Sequence, residues 1–374
     1  MVGGPERWFM GAALGFMIVA AVVLLLATEG VLAPAGRLRL LPEAASRTKP
    51  AGALHIDAKH SRHGRERARQ RKRTMASRPT GPLPGKLLIA DKGNNRLIMV
   101  DAQHRIVWQF PRPGDLPAGQ DFLIPDDAFL TPGGSAIIAT EEDDHVIREI
   151  DIRSRRIVWQ YGHPGIPGSA PGYLNGPDDA YRLPNGLTTT ADIRNCRVLF
   201  IGHNGAIVRQ YGQVGLCLHD PPRALTAPNG DTPLPDGGML ISEINGSWID
   251  RLDAAGHLVW AFQSPVQYPS DPQLLPNGKV LVCDYSLPGR VVELDRRGSV
   301  IASFGAASGP NLLNHPSLAI SLPNGLVALN DDWNHRVIIV DMHSQKILWQ
   351  YGVTGYYGSG PGYLNTPDGI DFLP

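Results

Sequence analysis

A turn of Leu-Pro-Gly or Leu-Pro-Asn/Asp-Gly character recurs around Pro84, Pro132, Pro184, Pro235, Pro276 and Pro323, with Thr in place of Leu before Pro132, and a further Leu-Pro stands at Pro374. The spacings are 48, 52, 51, 41, 47 and 51 residues. Such a period constrains the fold more than any local motif, because self-similarity over 20–50 residues is the mark of solenoids, propellers and arrays. Gly 42 and Pro 33 together make 75 of the 374 residues, which suits many tight turns and argues against a helical bundle.

Each repeat carries the same strand grammar. An apolar run follows the turn, as in KLLIAD, SAIIATE, GMLISE and KVLVCD, and a second run such as RVIIVD follows it. A third run contains IVWQF at 106–110, IVWQY at 157–161, IVRQY at 207–211, LVWAF at 258–262, VIASF at 300–304 and ILWQY at 347–351. A variable loop and a fourth run, PDDAYRL at 177–183 or PDGIDFL at 367–373, complete the unit. Four short strands per repeat predict an all-β, six-bladed β-propeller over residues 81–374. The first repeat begins at Lys86 with its second strand, while the run 367–373 has no partner of its own; pairing the two closes the ring and removes an exposed edge.

The stretches Asp91-Lys92-Gly93-Asn94-Asn95-Arg96-Leu97 and Asp331-Asp332-Trp333-Asn334-His335-Arg336-Val337 resemble the signature of NHL-repeat propellers, with a partial copy at Asp192–Val198 and degenerate ones in the second and fourth repeats. The resemblance spans about residues 84–374. It implies a binding platform for a protein, glycan or small ligand, and related six-bladed folds include metal-dependent lyases and lactonases. The Val-Trp-Gln strand ends are also similar to those of quinoprotein-like propellers, which usually have eight blades.

The head of the chain is different in kind. Residues 8–27 (WFMGAALGFMIVAAVVLLLA) carry no charge, the length needed to cross about 30 Å of hydrocarbon as a helix. This predicts an N-terminal membrane anchor over 1–33, followed by a basic disordered tether over 34–80. A cleaved signal peptide is the competing reading, since Ala33-Pro34-Ala35 has the form of a cleavage site, but apolar cores of signal peptides run to about 7–15 residues. Residues 1–80 hold 14 Lys/Arg against 5 Asp/Glu, leaving 21 against 30 in the remainder. That acidic remainder argues against nucleic acid as a partner of the folded part.

Propeller topology gathers the loops between second and third strands, and those leading into each inner strand, on one face around the channel mouth, the default ligand site. One acid ends each second strand: Asp91, Glu141, Asp192, Glu243, Asp284 and Asp331. Such a ring either binds a cation or caps its own turns and pairs with Arg96, Arg197, Arg290 or Arg336. Nearer the axis, Asp126, Asp178 and Asp368 follow the proline that opens an inner strand, and Asn229, Ser270 and Ser317 take that place elsewhere. Departures from the repeat add Glu243 with Asn245, Asp271, Asp332, His219 and His315 to the candidate ligand-binding set. His145, His163 and His335 share the face without metal-binding spacing. Calcium or zinc at the mouth would support a metal-dependent lyase or hydrolase, the alternative to a binding platform. No nucleophile elbow, phosphate loop or dinucleotide fingerprint is present. Trp108, Trp159, Trp260 and Trp349 recur at one outer-strand position and predict packing between blades.

Cys196, after the second strand of the third repeat, and Cys217, in the loop leaving that repeat, fall on the same face and predict a disulfide. Cys283, inside VLVC, is expected to be buried and unpaired. A persistent bridge implies an oxidising compartment and hence a single-pass protein of the cell membrane with an extracytoplasmic propeller, against the basic flank that favours the cytoplasm.

Overall fold

A computed structural model describes residues 82–374, which form twenty-four strands in six antiparallel four-stranded sheets. The apolar run 8–27 and the basic stretch 34–80 lie outside the described residues. Among the described residues no helix is long and apolar enough to cross a membrane. From the axis outward, blade one is Pro367–Leu373, Lys86–Asp91, Arg96–Val100 and Ile106–Phe110. Blade two is Pro125–Leu130, Ala136–Glu141, Val146–Asp151 and Arg156–Gly162; blade three is Pro177–Arg182, Thr188–Asp192, Arg197–Ile201 and Ile207–Gly212. Blade four is Pro228–Gly230, Met239–Glu243, Trp248–Leu252 and Leu258–Gln263. Blade five is Pro269–Leu274, Val280–Asp284, Arg290–Leu294 and Val300–Phe304, and blade six is Ala319–Ser321, Val327–Asp331, Arg336–Asp341 and Lys346–Gly352.

Neighbouring blades cover both faces of the middle strands, so these read as near-continuous apolar runs; Arg96–Val100 and Val280–Asp284 are buried at every position. The outer strands have one face in water. Val107, Val158, Val208, Val259, Ile301 and Leu348 point outward, 42–58% exposed. Trp108 and Trp159 turn to the next blade, where their Nε1 atoms donate to the carbonyls of Ile152 and His203, each at 2.9 Å. The ring closes as its sequence phase requires: Leu87 pairs with Phe372 and Ile89 with Ile370, which is fully buried.

One clamp sets the start of every inner strand, and a second adds to it in three blades. Every ring acid accepts the backbone N–H two residues before the opening proline: Asp91 from Asn365, Glu141 from Leu123, Asp192 from Asn175, Glu243 from Thr226, Asp284 from Gln267 and Asp331 from Asn314. The second clamp comes from the preceding blade, from the left-handed residue that ends its short 3₁₀ turn. Asn95 accepts from Ile124 N at 2.8 Å, His145 from Gly176 N at 3.2 Å and His335 from Thr366 N at 3.1 Å. In blade three that residue is Cys196, whose disulfide to Cys217, with Cα atoms 5.3 Å apart, ties down the loop that leaves the blade instead. Cys283 is buried and free. The NHL-like pattern is the hydrogen-bond set of this turn: Asn94 and Asn334 donate to Asp91 and Asp331 at 2.8 and 2.9 Å, and Arg96 and Arg336 to the same oxygens at 2.6 and 2.7 Å. Glycine after the outer-strand tyrosine is equally local. At Gly162, Gly212 and Gly352 φ is positive and a Cβ would collide with the carbonyl of His145, Cys196 or His335.

Candidate functional site

Because the clamps fix where each inner strand begins, Asp126, Asp178 and Asp368 of three consecutive blades converge at the channel mouth. They line a cavity of about 130 Å³ with Lys92, Glu142, Tyr268 and Tyr285. Lys92 Nζ lies between two of the acids, donating to Asp368 Oδ2 at 3.0 Å and to Asp126 Oδ1. Burial works against its ammonium, yet Asp126 and Asp368 hold its pKa well above the ordinary lysine value. Burial, reinforced by Asp126, pushes Asp368 up to about 6. Burial raises Glu142, and it raises Asp178 well above the carboxylate range with help from Asp126 and Glu142. A mouth with four carboxylates and one ammonium favours an incoming cation, which would restore the charged forms of Glu142, Asp178 and Asp368.

A second tier adjoins this cavity, which Asp127 and Asp271 also line. Asp127, Asp179 and Asp271 are at most 2% exposed, bring ligand atoms within 4.8 Å of one another, and each keeps one oxygen without a donor. Burial is the main cause that lifts Asp127 and Asp271 well above the usual range and Asp179 to about 7. Buried polar atoms almost always have partners, so this tier holds either shared protons or a cation. A larger cleft of about 600 Å³ lies on the opposite face against Leu183, Pro184, Phe200 and Met239. Its only charged lining residue is Arg209, and it gathers none of the candidate residues.

The sequence-derived candidates divide in space. Asp126, Asp178, Asp271 and Asp368 all line the mouth. Asp332 is buried beside it, accepting from Asn330 Nδ2 at 2.6 Å and from Ser317 Oγ at 3.2 Å. His315 belongs to an aromatic rim, 4.9 Å from Tyr285 and 5.5 Å from Trp333, and burial lowers its pKa. Glu243 and His219 form a separate group in blade four with Asp250, whose pKa burial and Glu243 push to about 10. Asn245 is exposed in the turn after Glu243. The ring acids of the other five blades are occupied by their backbone and arginine partners.

Sequence reading missed Lys92 and Tyr285, and did not single out Glu142, as mouth residues. The signal was the position after each ring acid: Lys92, Glu142, Ile193, Ile244, Tyr285 and Asp332 in the six blades. Asp127 and Asp179 were also passed over, although each directly follows a candidate aspartate.

No protein-family model matches this chain, and no curated protein matches it. Among solved structures it is similar to a protein of unknown function from Bacteroides caccae, at 16% identity over 77% of this chain and 98% of that one, with a TM-score of 0.54. It is also similar to the hydrazine synthase of Kuenenia stuttgartiensis, at 15% identity over 70% and 75% of the two chains and a TM-score of 0.48. A streptogramin B lyase aligns at 14% identity over 61% and 68%, with a TM-score of 0.45. The first of these likenesses supports the fold and says nothing of function.

Proposed function

We propose that the protein is a binding platform whose loop-face mouth takes the ammonium end of a small organic ligand. The carrying observation is the composition of the mouth: Asp126, Glu142, Asp178 and Asp368 surround the single ammonium of Lys92. Tyr268 and Tyr285, with ring centroids 5.2 Å apart, wall one side. Carboxylates with aromatic faces suit an organic cation, and about 130 Å³ admits a head group rather than a whole ligand. The NHL-like turns at 91–96 and 331–336 support a platform role. As part of the same reading, the apolar run 8–27 tethers the propeller to the cell membrane on its outer side, for which the Cys196–Cys217 bridge is the support.

The unpartnered oxygens of Asp127, Asp179 and Asp271 favour a second reading, in which a hard cation such as calcium sits in the second tier and serves a lyase or hydrolase. Its ligands would be those three carboxylates, with the mouth acids beside them holding and releasing protons. Calorimetric titration of the purified full chain with putrescine, before and after chelator treatment, separates the readings. Saturable binding that survives chelation and weakens at least about tenfold in Glu142→Gln and Asp178→Asn is expected. Absence of binding, or equal binding by both variants, would contradict the amine reading.

A further inference from the structure

In five blades the ring acid is answered by an arginine. Arg96, Arg197, Arg290 and Arg336 stand directly across from Asp91, Asp192, Asp284 and Asp331 in cross-strand register. In blade two Val146 stands across from Glu141, and Arg148, two residues further on, reaches back to it at 2.8 Å. Blade four has an arginine at neither place. Trp248 stands across from Glu243, and Asp250 occupies the position that Arg148 fills in blade two.

Two carboxylates therefore meet where every other blade joins an acid to a guanidinium. Glu243 and Asp250 are both fully buried, and neither oxygen of Asp250 finds a donor. The third group present is His219, from the loop that enters blade four. Its Nδ1 lies 2.8 Å from Glu243 Oε1 and 3.9 Å from Asp250 Oδ2. Its ring lies flat on Trp248, with centroids 3.8 Å apart and planes within 5°. The histidine side chain is 20% exposed, so the cluster has a way in from solvent.

We propose that His219, Glu243 and Asp250 bind a divalent transition cation of the zinc type, which takes the place of the missing arginine. Zinc accepts imidazole nitrogen and carboxylate oxygen at about 2.0–2.2 Å, and tetrahedral bonds of that length set ligand atoms roughly 3.3 Å apart. The observed 2.8 and 3.9 Å bracket that separation. The imidazole separates this site from the all-oxygen tier at the axis, which suits calcium or magnesium instead. Thr226 N–H donates to Glu243 Oε2 and holds the carboxylate in orientation, while the disulfide at Cys217 anchors the loop two residues before His219. Three protein ligands leave a fourth position for water on the open side. The site does not depend on the amine reading of the mouth.

The test is to strip the purified full chain with a chelator, add zinc alone, count retained metal by mass spectrometry and follow thermal melting. The wild type is expected to retain one equivalent at this site and to melt higher with it. His219→Ala, a change at a partly exposed loop residue, and Asp250→Asn should each weaken zinc binding by roughly 100-fold or more. Asp250→Arg rebuilds the acid–arginine pair of blade two, and should fold, lack this equivalent and melt independently of zinc. Asp179→Asn, at the axis, should keep it. Equal zinc retention by wild type and Asp250→Arg would overturn the proposal. So would a wild type that retains none, since Glu243 and Asp250 would then share a proton instead.

Discussion

Replacing Asp179 with asparagine should stabilise the metal-free protein, and more so as the pH rises. Asp179 is fully buried in the second tier, with Oδ2 accepting from Tyr181 Oη and Asp231 N, each at 3.3 Å, and Oδ1 unpartnered. Its pKa is raised from 3.8 to about 7, chiefly by burial. Between these values the folded state holds the proton more tightly than the unfolded chain, so stability is greatest at the acid end and falls as the pH climbs through 7. At about 1.4 kcal/mol per pKa unit, the full cost is about 4 kcal/mol, of which about 3 kcal/mol accrues between pH 5 and pH 8. Asparagine cannot ionise and keeps the acceptor for Tyr181 and Asp231. Urea unfolding followed by tryptophan fluorescence, in chelator at pH 5 and pH 8, should show the Asp179→Asn advantage growing by about 3 kcal/mol across that interval. Saturating calcium should shrink it if the tier holds a cation. Wild-type and variant stabilities that run parallel from pH 5 to 8 would refute the reasoning.

Two further outcomes follow from the architecture. Deleting 366–374 removes the strand that pairs with 86–91 and the fully buried Ile370. It should cost on the order of 5 kcal/mol and expose two strand edges, so an unchanged cooperative melt would contradict ring closure. Thiol counting on denatured, unreduced protein should find one free cysteine, and Cys196→Ser with Cys217→Ser should cost on the order of 3 kcal/mol in chemical denaturation; three free thiols would remove the covalent tie.

The fold was legible because the proline–glycine turn repeats and because the strand phase at Lys86 and at 367–373 is offset by one strand. The cysteine pair was legible from blade topology alone. The mouth was only half readable. Asp126, Asp178 and Asp368 are marked by the proline before them, but strict strand alternation would send Asp127 and Asp179 away from the channel. Register shifts between Pro125 and Ala128 and between Pro177 and Ala180 break that alternation, so Asp126 and Asp127 both line the cavity. Lys92 was hidden by its reading as part of a turn signature rather than as a side chain aimed at the axis. In blade four, the departure at Glu243 was visible, whereas its partner Asp250 lies seven residues on, at a spacing that acquires meaning only beside Glu141 and Arg148.

The central claim concerns where a cationic ligand sits, and a crystal structure of the protein grown with putrescine tests it most directly. The account predicts an amine nitrogen within hydrogen-bonding distance of Asp178 and Glu142, beside Lys92 and against the rings of Tyr268 and Tyr285. An amine in the Leu183–Met239 cleft of the opposite face, with the mouth holding only water, would contradict it.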